Sequence, residues 1–349
     1  MGRGTTNTMK TFTDQLEALE KSSIRIISEN QSSTGGYIAS PNFAVYNYSW
    51  FRDGAFIAHA MSLVGEAASA SAFHIWAAKN INDREEKILD LISRSNNGET
   101  IDPEDHLHCR YSIDGLESEE EWTNFQLDGF GTWLWAANEF RSAGNPLDPS
   151  IYQAARILIP YLHQFWQAPS FDWWEESFGH QHVSTLGCIA AGLDALRGWD
   201  EIAPELRASA TKCASEIRNY VMKNGVIEGH LTKWIGTNAV DGSLSALISP
   251  LGWIEDLSIV EKTLDAISDQ LGELGTHRHL EDVYFGGGPW PILSVFLALG
   301  RARQGNIYSA KQTLEWVANC ANEAQELPEQ LATDLLHPEK RREWIEKWG

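Results

Sequence analysis

Residues 184–199 read STLGCIAAGLDALRGW, and within them Leu186, Ile189, Ala190, Leu193 and Leu196 recur at the three-and-four spacing of one helical face. Ser184 stands where an N-cap oxygen belongs. Sixteen residues with this period predict a helix. The same spacing appears over 54–65, through Phe56, Ala60, Leu63 and Val64, and again after Pro291, through Ile292, Val295, Phe296 and Leu299. Further helical patterns cover 13–28, 67–79, 84–95, 128–141, 150–165, 203–222, 256–273 and 307–324. Strand patterns are scarce: RIIS (25–28) and LTKWIG (231–236) read as turns or hairpin edges. Between the helices lie loops crowded with aromatic and polar groups: YNYSWFRDG (46–54), EEWTNFQLDGFG (120–131), FDWWEESFGHQH (171–182) and HRHLEDVYFGGGPW (277–290). With no Pro/Gly/Ser-rich linker, the chain reads as one all-α domain of repeated helix pairs, its loops gathered at one end as a site.

Composition narrows the function. The 349 residues carry 27 Lys+Arg against 48 Asp+Glu, a formal charge of −21, which repels nucleic-acid backbones and anionic membrane surfaces. No run approaches the roughly 18 apolar residues a membrane span needs. The opening MGRGTTNTMK has no apolar leader core, so a cytoplasmic location is expected and the sequons at Asn30 and Asn47 are read as chance. Cys109, Cys188, Cys213 and Cys320 are widely spaced and read as buried thiols. Fifteen Trp in an acidic chain suit either a neutral polyhydroxylated ligand that stacks on rings or simply a large core.

Chemistry concentrates in the loops. Glu175 and Glu176 sit beside Trp173, Trp174 and Phe178, where desolvation would hold a carboxyl's proton and make a general acid; the alternative is two solvated acids at a helix start. Glu329, in ELPEQL, is a second acid with nothing local to distinguish it from a surface residue. Arg52 with Asp53, and Arg278 with Glu281 and Asp282, offer forked donors and acceptors for vicinal hydroxyls or else form structural ion pairs. The three HxH spacings lack ligand partners, and phosphate loops and the serine-hydrolase elbow are absent, so no metal or cofactor is expected.

Taken in order, these loops resemble the motif series of glycoside hydrolase family 15, the glucoamylase family. Tyr46, Tyr48, Trp50, Arg52 and Asp53 match its YxYxWxRD; Trp122, Gln126 and Asp128 its W-x3-Q-x-D; Trp174, Glu175 and Glu176 its WEE. Arg278, Glu281, Asp282, Tyr284, Gly287, Pro289 and Trp290 match its RxxED-x-Y…G-x-PW, and Glu329 with Gln330 its EQ. The resemblance implies an (α/α)6 barrel with Glu175 as general acid, Glu329 as general base, and the other matched residues as substrate-binding walls. It implies an inverting exo-acting α-glucosidase on short α-1,6 or α-1,4 glucosides, with a trehalose hydrolase, a non-catalytic sugar-binding relative and a sugar epimerase as alternatives. Residues 1–36 are expected as a helical lead-in and 37–349 as the catalytic domain. That domain is expected to be truncated or divergent at its C-terminal end, since DLLHPEKRREWIEKWG stands where the family has a PLxWS-type stretch and a closing helix.

Overall fold

The computed structural model describes residues 12–118 and 120–348; the opening MGRGTTNTMK, on which the absence of a leader was argued, lies outside the described residues. The chain forms α1 (Phe12–Glu29), α2 (Phe51–Leu63), α3 (Ala67–Asn82), α4 (Glu85–Asn96), α5 (Asp128–Ser142), α6 (Pro149–Phe165), α7 (Val183–Ala195), α8 (Pro204–Asn224), α9 (Leu244–Ile248), α10 (Leu257–Leu271), α11 (Pro291–Arg303), α12 (Ile307–Asn319) and α13 (Arg341–Trp348). Among the described residues sheet is confined to two short antiparallel pairs, β1 (Ser49–Trp50) with β2 (Arg110–Tyr111), and β3 (Val226–Ile227) with β4 (His230–Leu231).

These helices make the expected (α/α)6-barrel architecture. Helices α2, α5, α7, α9 and α11 follow one another round the inner ring, while α3, α6, α8, α10 and α12 pack outside and α1 lies beside α12. The two layers differ in pattern. Outer α6 and α10 bury one face, and their starts are set by side chains: Asp148 accepts from the Ser150 amide ahead of Pro149, and Asp256 accepts from the amides of Ser258 and Ile259. Inner α7 buries every residue from Val183 to Leu193, which is why its single apolar stripe understates its position.

Inner helices α5 and α7 cross with their backbones touching. A β-carbon on Gly131 would stand 2.3 Å from the Cys188 carbonyl oxygen, and one on Gly192 2.2 Å from the Gly131 oxygen. Glycine is required there by space alone.

Three local expectations change. RIIS is not a strand or turn but the end of α1, where Ile24 and Ile27 pack inward on the core at helical spacing and outweigh the β-preference of Ile. Ser184 does not cap α7. The helix starts at Val183, whose amide bonds the Lys233 carbonyl oxygen, so a neighbouring chain segment does the work of a cap. The last helical pattern stops at Asn319, and the chain then turns through 320–337 before α13. No helix among the described residues is long and apolar enough to cross a membrane.

The aromatic loops all precede inner helices: YNYSW leads into α2, EEWTNFQL into α5, FDWWEESFGHQH into α7 and the glycine-rich loop into α11. The cavity therefore opens at the N-terminal ends of the inner ring, the positive ends of the helix dipoles, in a strongly acidic protein. Gly192→Ala should lower unfolding free energy by about 3 kcal/mol, the upper end of overpacking costs. Gly198→Ala, whose β-carbon would meet nothing nearer than 3.8 Å, should leave the urea midpoint within error.

Candidate active site

A cavity of about 1110 Å³ is lined by Tyr46, Trp50, Arg52, Asp53, Trp122, Trp174, Glu175, Glu176, Arg278, Trp290 and Glu329. Residues from five separated stretches thus share one cavity. Gln126, Asp128, Glu281 and Asp282 do not line it. They sit behind or beside the lining, and three of them act on it through hydrogen bonds.

Arg52 begins this arrangement. Standing in the first turn of α2, its guanidinium is buried against Asp128 at the start of α5, with Nη1 at 2.8 Å from the carboxylate and 3.0 Å from the Gln126 Oε1. Burial works against its charge, but Asp128 and Asp53 outweigh that and hold the proton more firmly than usual. Asp53 lies 3.5 Å from Nε and faces the cavity; burial raises its pKa and Arg52 opposes the rise. Gln126 turns its amide the other way and donates to Glu175 Oε1 at 3.0 Å.

Glu175 is fixed by its loop and by donors. Asp172 Oδ1 accepts from the amides of Trp174 (3.0 Å) and Glu176 (2.8 Å), bending the chain so tightly that Glu175 has φ +67° and Ser177 φ +52°. This is a turn and not the helix start of the alternative reading. Left-handed backbone at a non-glycine residue costs free energy of order 1–3 kcal/mol and persists only where neighbours enforce it. Trp50 Nε1 donates to Glu175 Oε1 at 2.7 Å. With Trp50 and Gln126 both on Oε1, the other oxygen is the one left to carry a proton. Cys109 Sγ stands 3.7 Å from the same Oε1.

Behind the loop, Lys233, Asp172 and Asp241 form a buried charged group: the ammonium is 3.3 Å from Asp241 and 3.9 Å from Asp172, and Asp241 accepts from Trp174 Nε1 at 3.0 Å. Burial pushes Asp172 up to about 6, with Lys233 pulling it down and Asp241 pushing it up. None of these three was singled out from sequence. Asp172 left a signal, an Asp two residues before a Trp in a turn-rich loop, but Lys233 and Asp241 left none.

The opposite wall is built on Arg278. Its Nε donates to Asp282 at 2.8 Å and its Nη2 to Glu176 at 3.1 Å, while Trp174, Tyr284 and Trp290 surround the guanidinium carbon at 5.2, 5.0 and 5.5 Å. Burial pushes the Glu176 carboxyl up, but the hydrogen bond from His279 and the charge of Arg278 leave it below its ordinary value. Glu281 is exposed and, among the described residues, reaches only His279. Glu176, His279 and Asp282 bring ligand atoms within 4.8 Å of one another, yet Arg278 already supplies the positive charge between the two carboxylates. That donor set does not call for a metal.

Glu329 is reached from outside the helices, on the segment after α12. Its neighbour Gln330 donates to the Tyr284 and Gly288 carbonyl oxygens, and the Leu331 amide donates to the Pro289 oxygen, so the segment is laid along the glycine-rich loop. The Glu329 side chain is open to cavity water, but the walls around it push its carboxyl up to about 7; Arg278 and a hydrogen bond from Tyr284 pull down while Asp53 and Glu175 push up. Nothing in the sequence around Glu329 marks that raised proton affinity. Burial raises it most, and Asp53 and Glu175 across the cavity add to it.

Two carboxyls with different surroundings on one sugar-sized, Trp-lined cavity are the arrangement of a glycoside hydrolase. The chain belongs to glycosyl hydrolases family 15. The family profile matches residues 14–345. An isomaltose glucohydrolase of Kribbella flavida is 38% identical over 340 residues, covering 96% of this chain and 88% of that protein. A trehalase of Thermoplasma acidophilum is 22% identical over 58% of this chain and 36% of its own length. Among solved structures, a wild-type glycosidase superposes with TM-score 0.92 at 37% identity, covering 97% of this chain and 93% of that one; a variant glycosidase in complex with glucose has the same TM-score at 36% identity. A bacterial glucoamylase complexed with acarbose shares the fold, with TM-score 0.71 at 17% identity over 93% of this chain and 52% of its own. The protein is thus a glucoamylase-type glycoside hydrolase acting on carbohydrate.

In this family 15 chain the Asp172 turn should be separable from its charge. Asp172→Asn keeps the acceptor oxygen and should retain most activity, whereas Asp172→Ala frees two loop amides and should lower turnover by about 10²-fold or more, as misplacement near the chemistry does. Steady-state kinetics beside circular dichroism will read the difference.

Proposed function

We propose that this family 15 protein is an inverting, exo-acting α-glucosidase that releases β-D-glucose from the non-reducing end of short α-glucosides, with α-1,6-linked isomaltose the leading substrate. The observation that carries the reading is the unequal pair of carboxyls on one cavity. Glu175 has both N–H donors on Oε1, which leaves Oε2 to hold the proton and deliver it to the glycosidic oxygen. Glu329, open to cavity water, takes a proton from the water that attacks the anomeric carbon on the opposite face. The glycosidic C–O bond breaks as the new one forms, the configuration inverts, and Glu175 leaves the step ionised and Glu329 protonated. Exchange with solvent restores both.

Arg52 and Asp53 hold hydroxyls of the terminal ring, with Asp128 and Gln126 keeping Arg52 in place. Arg278 and Glu176 serve the sugar beyond the cut, with Asp282 orienting Arg278, and Glu281 contributes only through His279. Trp50, Trp122, Trp174 and Trp290 cover the ring and exclude water, and Tyr46, at 2.7 Å from the Tyr284 hydroxyl, belongs to the wall that carries Glu329. The preference for isomaltose rests on the 38% identical isomaltose glucohydrolase. Trehalose is the second substrate to test, given the more distant trehalase.

Glucose release from isomaltose, maltose, trehalose and soluble starch, followed by proton NMR in the first minutes, should show β-glucose first and isomaltose fastest. Initial α-glucose would sink the inverting assignment, and glucose binding without hydrolysis of any of the four would favour a sugar-binding role. Glu175→Gln and Glu329→Gln should each reduce turnover by about 10²–10⁴-fold, with glucose affinity kept within threefold. A base works only when deprotonated, so with Glu329 pushed up to about 7, kcat/KM should fall as pH drops below that value. Asp53→Asn removes a negative neighbour and should move that acidic limb downward. A limb that stays in place would exclude Glu329 as the group titrating there.

A further inference from the structure

Helix α13 has no buried residue, yet it is seated at the cavity. Trp344 and Trp348, one turn apart on the same face, rest on the two tyrosines of the wall: Trp344 is 5.1 Å from Tyr284, and Trp348 is 6.1 Å from Tyr284 and 6.0 Å from Tyr46. The two indoles are 5.0 Å apart, and the Lys347 ammonium lies 4.9 and 4.7 Å from their centroids. Among the described residues that ammonium pairs with no carboxylate. All three side chains line the cavity, as do Glu121 and Trp122 of the loop before α5.

The helix is placed by the same stretch of backbone that carries Glu329. After the Leu331 amide bonds the Pro289 oxygen, the Leu336 and His337 amides bond the oxygens of Gly287 and Gly286, and the chain then folds back as α13 over Tyr284. A β-carbon on Gly288 would stand 1.9 Å from the Leu331 carbonyl oxygen, so the two segments approach as closely as backbone allows. Arg52, buried, and Asp53 line the cavity from the first turn of α2, whereas α13 lines it with residues none of which is buried.

We propose that α13 is the leaving-group wall of this cavity, with Trp348 and Trp344 offering ring surface and Lys347 offering N–H donors to the sugar released on the far side of the cut. The inference rests on the α-glucosidase reading. Indole surface packs against the C–H face of a pyranose while its edge stays hydrated, and a lysine ammonium with no carboxylate partner keeps all three donors for hydroxyls. Trp344, Lys347 and Trp348 are thereby specificity-determining residues: they favour glucosides whose leaving group is itself a pyranose over those with a small one. The terminal glucose is held separately, by Arg52 and Asp53 with the tryptophans that cover its ring.

The test compares leaving groups. In the whole protein, Trp348→Ala and Trp344→Ala should lower kcat/KM for isomaltose at least tenfold while changing that for α-glucosyl fluoride, whose leaving group does not reach α13, less than threefold. Trp348→Phe should recover most of the loss, which separates ring surface from folding. In the Glu175→Gln background, titration should show Trp348→Ala weakening isomaltose at least tenfold and glucose less than twofold. Equal losses on isomaltose and the fluoride, or no loss on either, would overturn the proposal. If the unsubstituted protein turns over neither substrate, the α-glucosidase reading fails, and the two titrations still decide whether α13 contacts the second ring.

Discussion

A guanidinium buried between the first turns of two inner helices is the constraint on which the rest of the site depends. Arg52 belongs to α2 and Asp128 to α5, and neither has water to fall back on, so leaving either unpaired would strand a buried charge. Their pairing locks the relative height of the two helices. It also orients Gln126, which accepts from Arg52 with its oxygen and donates to Glu175 with its nitrogen. One ion pair therefore links the cavity-lining Asp53 to the oxygen of a carboxyl on a different loop. The close crossing of α5 and α7 at Gly131 and Gly192 extends the same rigidity to the helix that follows the Glu175 turn.

The electrostatics of the cavity follow from how its charges are shared. Six acids, Asp53, Asp128, Glu175, Glu176, Asp282 and Glu329, and two arginines shape it, and each arginine is divided between a carboxylate behind the wall and one that lines the cavity: Arg52 between Asp128 and Asp53, Arg278 between Asp282 and Glu176. Glu329 has no such dedicated partner. Burial on the cavity wall, reinforced by Asp53 and Glu175 and only partly offset by Arg278 and Tyr284, holds its proton to about neutral pH, while Glu176 is held below its usual range. Helix N-termini at this end of the barrel add positive potential, so that a cavity in an acidic protein can still keep carboxylates charged where they are needed.

Backbone geometry does the positioning that side-chain identity alone could not. The Glu175 turn is held by one Asp172 oxygen across two amides and by the Trp174–Asp241–Lys233 group beneath it. The Glu329 segment is held by amide-to-carbonyl bonds to a glycine-rich loop whose glycines are needed for close approach. Both carboxyls stand on irregular chain, and both are made precise by what lies behind them. That division is general for sites built on loops over a rigid scaffold.

Most of the helical fold was legible in the sequence because eleven of the thirteen described helices carry a 3.6-residue apolar period, the short α9 and α13 being the exceptions, and the loops betrayed themselves by aromatic and polar residues in runs that no helix face could hide. The motif residues marked which loops line the cavity, since Arg52, Asp53, Glu175 and Arg278 stand in recognisable local company. What the sequence could not convey was distance. RIIS became helical because α1 had a core to pack against, and α7 did without its expected Ser184 cap because Lys233, fifty residues away, supplied a carbonyl. Asp241 and Lys233 have no local signature at all. Tertiary structure alone decided which acid has its proton affinity raised, which residues stand behind the wall instead of in it, and that Trp344 and Trp348 meet Tyr46 and Tyr284. The physical reason is the same in each case: periodicity and capping act within a few residues, whereas desolvation and Coulomb interaction depend on neighbours brought together only when the chain closes on itself.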